Sequence, residues 1–333
     1  MKLVISKTPL RISLFGGGTD LKSYYKYNKG AVMSFSINKF LYVILKKNEE
    51  VVDFKYRINW SKTEFANSLK DIEHPIVRET FKYFKINFPI EVSTFSDIPA
   101  NTGLGSSSAF AVGLINCLSK LLKLNYSTRK IAELAAKIEI DILKRNIGKQ
   151  DHYASAYGGF NILEFNKSEA VKIKKQNLGK YLTDSLNNSF LLFFLNKKRD
   201  ASKILQNQKK LKNKNINSLN EIKKIVYEAE KIIKKKKRNE DIISKLGKLL
   251  SKNWYWKKKN NKNVSYDEVD HVYNLGIKKG AYGGKLLGAG GGGYFFFLIS
   301  KINKIRLKKK LKKFSTVIVK MYHKGTEVIY ENE

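Results

Sequence analysis

Pro99-Ala100-Asn101-Thr102-Gly103-Leu104-Gly105-Ser106-Ser107-Ser108 lies between a strand-like run, Ile90 to Phe95, and a strongly apolar helical run from Ser107 to about Leu122. Gly103 and Gly105 let the backbone turn tightly and approach a ligand, and three hydroxyls follow where the unpaired N–H groups of a helix N-terminus point outward. The positive end of the helix dipole adds to that attraction, so the stretch reads as a seat for an anion. A serine hydroxyl there can also reach a metal ion attached to phosphates. By itself the string also admits a glycine-rich turn capped by serines, with the anion seat as the favoured reading. A Walker A loop would need Gly-Lys-Ser/Thr where Gly105-Ser106 stands, and none of the serines has the flanking glycines of a nucleophile elbow. Gly288, Gly290 and Gly293 match the dinucleotide spacing, but Tyr294-Phe295-Phe296-Phe297 follows, a strand where that fingerprint must open a helix.

Around this loop, alternating apolar positions predict strands over Leu3 to Phe15, Ala31 to Leu45 and Val51 to Ile58, interrupted by the Gly16-Gly17-Gly18 turn, with a helix from about Pro75 to Phe84. Ser127 is an N-cap candidate for a helix with Ile131, Ala135, Ile138 and Ile142 on one face. After Gly158-Gly159 the texture changes. Phe160 to Phe165 and Phe190 to Leu195 read as strands, a helical stretch rich in Lys and Asn runs to about Lys259, and Ser265 to Lys278 is a further helix. A Gly-rich loop, the strand Tyr294 to Ile299, a basic helix near Leu307 to Lys313 and the strand Thr316 to Met321 complete the pattern. This is an α+β arrangement in two lobes, residues 1–175 and 176–333.

A chain of 333 residues with a hydrophobic fraction of 42% suits two domains sharing a cleft better than one continuous core. No apolar run reaches the roughly 18 residues of a membrane helix, and the sequence does not open on a basic segment with an apolar stretch and cleavage site, so the expected location is the cytoplasm. Cys117 is the sole cysteine, which excludes an internal disulfide and a Cys-based metal cluster within one chain. The net charge of +36 taken alone points to nucleic acid or an anionic membrane surface. The excess is mostly Lys scattered over nearly every predicted element, and a solvated helix face accounts for the denser run Lys234-Lys235-Lys236-Lys237-Arg238. Neither nucleic acid nor membrane is therefore the expected partner, while the charge helps draw in an anionic substrate.

Two carboxylates stand out. On a helical wheel Glu133, Lys137, Asp141 and Lys144 form the wet side, whereas Glu139 falls with Ala135 and Ile138 on the apolar side. A carboxylate facing inward needs a cation or donors: a magnesium ion carried by ATP would serve, and so would a buried Lys or Arg. Asp151, in Gly148-Lys149-Gln150-Asp151-His152-Tyr153, reads as turn-borne just past that helix, either as a cap or as the carboxylate that orients an attacking hydroxyl and accepts its proton. His74, His152, His271 and His323 have no metal-ligand spacing, and His152 reads as a bystander.

With these pieces in order, the chain resembles the GHMP kinases over almost its whole length, the group that includes galactokinase, homoserine kinase, mevalonate kinase and phosphomevalonate kinase. Pro99 to Ser108 resembles that family's motif Pro-x-x-x-Gly-Leu-Gly-Ser-Ser, with Ala usual where Ser108 stands. Pro9-Leu10-Arg11-Ile12-Ser13-Leu14-Phe15-Gly16-Gly17-Gly18-Thr19-Asp20 resembles its N-terminal motif, and Leu286-Leu287-Gly288-Ala289-Gly290-Gly291-Gly292-Gly293 its C-terminal glycine motif. The resemblance implies a two-lobed GHMP kinase fold, with an N-terminal lobe like ribosomal protein S5 domain 2 and a ferredoxin-like C-terminal lobe. It implies ATP and Mg2+ as cofactors, with Pro99, Gly103, Leu104, Gly105, Ser106, Ser107 and Ser108 around the nucleotide and Ser107 and Glu139 on the metal. Asp151 and Arg11 would be catalytic. Gly17, Gly18, Thr19 and Asp20, with Gly290, Gly291 and Gly292, would face the substrate.

Gly-Gly-Gly-Thr-Asp, together with Lys149-Gln150-Asp151 and Tyr157-Gly158-Gly159-Phe160, resembles in particular the D-glycero-D-manno-heptose 7-phosphate kinases, with bacterial fucokinase domains as near neighbours. That implies transfer of the ATP γ-phosphate to the anomeric C1 hydroxyl of a heptose 7-phosphate, giving the 1,7-bisphosphate for nucleotide-activated heptose and surface polysaccharide. Lys22, Lys149, Arg199 and Lys285 are candidates for the substrate phosphate, although relatives carry Thr-Gly where Asn196-Lys197-Lys198 precedes Arg199. A fucokinase or other free-sugar kinase is the enzyme alternative, and a homodimer is compatible with the family. A basic nucleic-acid-binding protein is the alternative from another class, its nearest support being Trp254-Tyr255-Trp256 flanked by lysines.

Overall fold

In the computed structural model, which describes residues 2–49, 52–195, 216–235 and 238–332, the N-terminal motif ends a long strand, β1 (Leu3–Phe15), paired antiparallel with β2 (Gly30–Lys47). On its other edge β2 carries two partners, β5 (Ile90–Ser96) along its C-terminal half and β6 (Phe160–Phe165) along its N-terminal half. β3 (Tyr56–Asn59), β4 (Thr63–Ala66), β7 (Val171–Lys175) and β12 (Glu327–Asn332) extend these into an eight-stranded sheet. The β1–β2 register shifts between Pro9 and Arg11. Proline has no N–H to give a ladder and marks such irregularities. Here the shift frees the Arg11 N–H, which donates to Leu104 O at 3.1 Å and so ties the N-terminal motif to the glycine loop.

The helix Ser106–Leu121 lies across this sheet, with Ser6 Oγ donating to Gly113 O at 3.0 Å. The next helix, Thr128–Ala136, is capped by the Ser127 hydroxyl, which accepts from Lys130 N at 3.2 Å, and it runs directly into a π-helical turn, Lys137–Ile142. A π turn inserts a residue and so rotates the side chains beyond it about the helix axis. Ile131, Ala135 and Ile138 are accordingly buried as the wheel predicts, whereas Ile142 is 37% exposed.

The second sheet has the order β11 (Thr316–Val317), β8 (Phe190–Phe194), β10 (Tyr294–Ile299), β9 (Ala281–Leu286). β10 is buried at every position, and Phe295, Phe296 and Phe297 each contribute about 1.5–3 kcal/mol by leaving water. Trp254, on the helix Asn239–Asn260, is buried edge-on against Phe295, so the first aromatic residue behind the nucleic-acid alternative belongs to the core, whereas Tyr255 beside it is exposed.

The expectation of an α+β fold in two lobes is borne out, with one sheet of eight strands and one of four, but several elements differ. The strand expected from Val51 is Tyr56–Asn59, and Thr316 to Met321 is a two-residue strand plus an isolated bridge from Met321 to Ile37. Among the described residues the long Lys-rich stretch holds two helices, Ile216–Lys234 and Asn239–Asn260, and its part over 196–215 lies outside them. The basic helix begins earlier, at Lys301, because Ser300 caps it by accepting from Asn303 N. The lobes are also not strictly sequential in space, since β12 pairs with β1 in the first sheet.

Candidate active site

Three sequence motifs meet at the glycine loop. Gly103 and Gly105 sit at φ 85° and 82°, the left-handed region that favours glycine, and Gly105 precedes the first helical residue without a side-chain cap. The helix therefore presents its first N–H groups at Ser106, Ser107 and Ser108. The second lobe braces the loop from behind. Tyr294 N donates to Thr102 O at 3.1 Å, and a Cβ on Gly288 would come within 2.6 Å of Gly103 Cα, so the backbones touch there. Pro99 and Asn101 are exposed, whereas Leu104 is buried and anchors the turn.

Glu139 points at the same helix end, with no exposed surface. Its Oε1 accepts from Ser107 Oγ and from Arg145 Nη1, both at 2.6 Å, and its Oε2 accepts from Ser108 Oγ at 2.9 Å and lies 2.9 Å from His152 Nε2. Burial alone would raise this carboxyl, but the hydrogen bond and charge of His152, the charge of Arg145 and the Ser107 hydroxyl outweigh it and hold it at about 2. The reading of His152 as a bystander is therefore corrected: it is a buried partner of Glu139. Arg145 is the cation the sequence did not identify, and it also donates to Ser107 Oγ at 2.8 Å. Ser107 Oγ and Glu139 Oε1 form an all-oxygen pair of the kind magnesium takes alongside phosphate oxygens and water. Arg145 stands against both oxygens on a side chain that is 31% exposed, which leaves it free to yield that place.

Arg11 and Asp151 form the other half of the site. Nε donates to Oδ1 at 2.7 Å and Nη2 to Oδ2 at 2.6 Å, a bidentate pair, while Nη1 donates to Gly103 O at 2.7 Å. Asp151 Oδ2 would lie 3.3 Å from a Cβ on Gly105, so the pair stands directly over the loop. Asp151 is in the first turn of a helix, Gln150–Tyr157, rather than in the turn that precedes it.

Asp20 is nearby and 2% exposed, with Oδ1 accepting from Gly18 N at 3.0 Å and Oδ2 from Gln150 N at 3.2 Å. Burial, then the charge of Asp151, pushes its carboxyl up, and the two N–H donors only partly offset this. Thr19, expected at the substrate, instead serves the turn: its hydroxyl has no exposed surface and bonds Gly16 O, Ala31 O and Ala31 N. Gly17 lies beside Ser13 and Gln150 at the cleft, whereas Gly290, Gly291 and Gly292 are buried, and Gly291 N donates to Val264 O. Gly288 and Gly293 are the glycines of that motif that touch the loop. A side chain at Gly148 would overlap the Asp20 carboxylate. Gly148→Ala is therefore expected to raise KM for the sugar by about 10- to 100-fold, with KM for ATP unchanged, as loss of an aligned charged hydrogen bond implies. Equal shifts in both constants would count against the placement of Asp20 on the sugar side.

Among the candidates for a substrate phosphate, Lys22 pairs with Glu169 at 2.5 Å, Lys149 with Glu169 at 3.2 Å, and Lys285 is buried. Arg199 lies outside the described residues. Among the described residues no helix is long and apolar enough to cross a membrane.

Residues 71–159 match the GHMP kinases N terminal domain and residues 236–316 match GHMP kinases C terminal. Over 325 residues the chain is 33% identical to a D-glycero-alpha-D-manno-heptose 7-phosphate kinase of Campylobacter jejuni, covering 94% of each protein. A solved D-glycero-D-manno-heptose 1-phosphate kinase from Bacteriodes thetaiotaomicron superposes with a TM-score of 0.79 over 99% of this chain and 100% of that one; at 22% identity this likeness speaks for the fold alone. A putative sugar kinase from Campylobacter jejuni superposes with a TM-score of 0.74 at 28% identity, over 98% of each chain. Fold, loop and matches define the class: an ATP-dependent phosphotransferase with an alcohol group as acceptor. The chain belongs to the GHMP kinases.

Proposed function

We propose that this sugar kinase transfers the γ-phosphate of ATP to the anomeric C1 hydroxyl of D-glycero-D-manno-heptose 7-phosphate, giving the 1,7-bisphosphate in the supply of nucleotide-activated heptose. The observation that carries the catalytic reading is the Arg11–Asp151 pair at 2.6 and 2.7 Å over Gly105. The heptose reading is supported by the 33% identity to the Campylobacter jejuni kinase over 94% of both chains. ATP would lie with its phosphates on Gly103 to Ser108, between a lobe of residues 1–175 and one of residues 176–333. Magnesium, held by Ser107 and Glu139, would neutralise phosphate charge there. Arg11 fixes the Asp151 carboxylate, and Asp151 Oδ2, the oxygen nearer Gly105, accepts the proton of the attacking hydroxyl. Asp20 orients the sugar by accepting from or donating to its hydroxyls.

A free-sugar kinase is the second reading, favoured by the pairing of Lys22 and Lys149 with Glu169 and the burial of Lys285. Incubating the protein with ATP, magnesium and a panel of sugars and sugar phosphates, followed by phosphorus NMR, separates the two. A new anomeric phosphate on the heptose 7-phosphate is the expected result. Turnover confined to unphosphorylated sugars would establish the second reading, and phosphate on a non-anomeric oxygen would displace the C1 assignment.

A further inference from the structure

Three cations crowd the junction of the two lobes, and the carboxylate bonded to one of them is Asp151. Lys257, on the helix Asn239–Asn260, donates from Nζ to Gly288 O at 2.6 Å and to Leu286 O at 3.2 Å. Lys285, on β9, is 3% exposed and donates to Ser13 O and Leu14 O at 3.0 Å each. Arg11, also buried, sets its charge against both lysines and is itself bound to Asp151. Neither lysine makes a salt bridge among the described residues. Burying an ammonium among carbonyls, with the Trp254 ring 5.7 Å from Lys257 Nζ as its one other partner among the described residues, is unfavourable unless something else compensates its charge. Burial, then the Arg11 charge, pushes Lys257 down to about 7, and burial with the charges of Lys257 and Arg11 holds Lys285 well below its ordinary value.

The place of Lys257 says what would compensate it. Its acceptor Gly288 packs on Gly103, whose carbonyl in turn accepts from Arg11 Nη1 at 2.7 Å. Lys257 Nζ is thus one residue away from the phosphate loop on the second-lobe side, and Arg11 and Asp151 stand on the other. Asp151 serves Arg11 alone, and a protein that sets Lys257 here with no carboxylate of its own among the described residues is built for a ligand that brings an anion. We propose that Lys257 is a phosphate-binding residue of the second lobe, turning from the Gly288 carbonyl to the terminal phosphoryl group of ATP when nucleotide binds. Lys285, bonded to Ser13 O and Leu14 O on the strand that carries Arg11, is not part of that contact. This rests on the reading of the Gly103 to Ser108 loop as the nucleotide's phosphate seat.

The test compares wild type with Lys257→Gln, which keeps an N–H donor for the Gly288 carbonyl and loses the charge, and with Lys257→Arg, which keeps both. Lys248→Met, at an exposed position of the same helix, controls for net charge. Calorimetry with magnesium and the β,γ-imido analogue of ATP, then with AMP, is read alongside the thermal midpoint of the unliganded protein. Loss of one charged hydrogen bond predicts about 10- to 100-fold weaker analogue binding in Lys257→Gln. AMP affinity and the unliganded midpoint should stay close to wild type, Lys257→Arg should recover most of the affinity, and Lys248→Met should match wild type. Unchanged analogue affinity in Lys257→Gln overturns the proposal, as does an equal loss for AMP and analogue together with a lowered midpoint, which would mark Lys257 as a strut between lobes. Failure of the wild type itself to bind the analogue would instead sink the nucleotide reading.

Discussion

Asp151→Asn is expected to lower kcat by about 10²- to 10⁴-fold while ATP and sugar binding are largely kept, the range lost when a positioned general base is removed. Asparagine matches aspartate in shape, so the helix Gln150–Tyr157 and the contact over Gly105 should persist. Two things change. The hydroxyl proton loses its acceptor, and the amide group opposes one guanidinium N–H of Arg11 with another donor, where the wild type has two acceptors at 2.7 and 2.6 Å. Part of the loss therefore comes from a loosened Arg11. Arg11→Lys separates the parts: it retains charge but cannot bond both carboxylate oxygens and the Gly103 carbonyl from a rigid fork. If turnover in Asp151→Asn matches wild type at saturating substrate, Asp151 leaves the mechanism and its role reduces to holding Arg11.

Much of this site is legible in the chain, for reasons that differ by residue. The Gly103 to Ser108 loop is local: two positive-φ glycines before a helix need no tertiary information. Glu139 is legible because its helix keeps a regular period up to Ala136 and Glu139 follows closely enough to stay on the buried face, and Ile142 misleads because the π turn Lys137–Ile142 breaks that period. Arg145 and His152 reach Glu139 only through the path of the chain after that turn, which no spacing rule encodes. Thr19 looks like a ligand because it belongs to the substrate motif, yet the motif needs its hydroxyl to close the turn. β12 has no apolar alternation to betray it, since an edge strand exposed over Ile329 to Asn332 and carrying Glu327 and Glu331 has little to bury. Lys257 is one among many lysines until the lobes are apposed.

Glu139→Gln is expected to raise the magnesium concentration for half-maximal activity by about 10- to 100-fold, because the oxygen-only site proposed on Ser107 and Glu139 would lose its one charge. The amide can still meet Ser107 and Ser108, so the helix N-terminus should keep its place, but Arg145 would face a neutral group where it now donates at 2.6 Å. An identical magnesium titration would count against the metal role and leave Glu139 as a structural ion pair. A second readout needs no metal. Because the folded carboxyl lies near 2, below its ordinary 4.5, the folded state favours the ionised form. That stabilisation is in full force above pH 4.5 and is lost as the pH falls toward 2, since below both values each state carries the proton. In chelator-treated protein, the unfolding free energy of wild type relative to Glu139→Gln should be flat above that window and shrink within it. A difference that stays constant down to acid pH would mean that Arg145, His152 and the two serines do not hold Glu139 ionised, and the charge assigned to this end of the cleft would have to come from elsewhere.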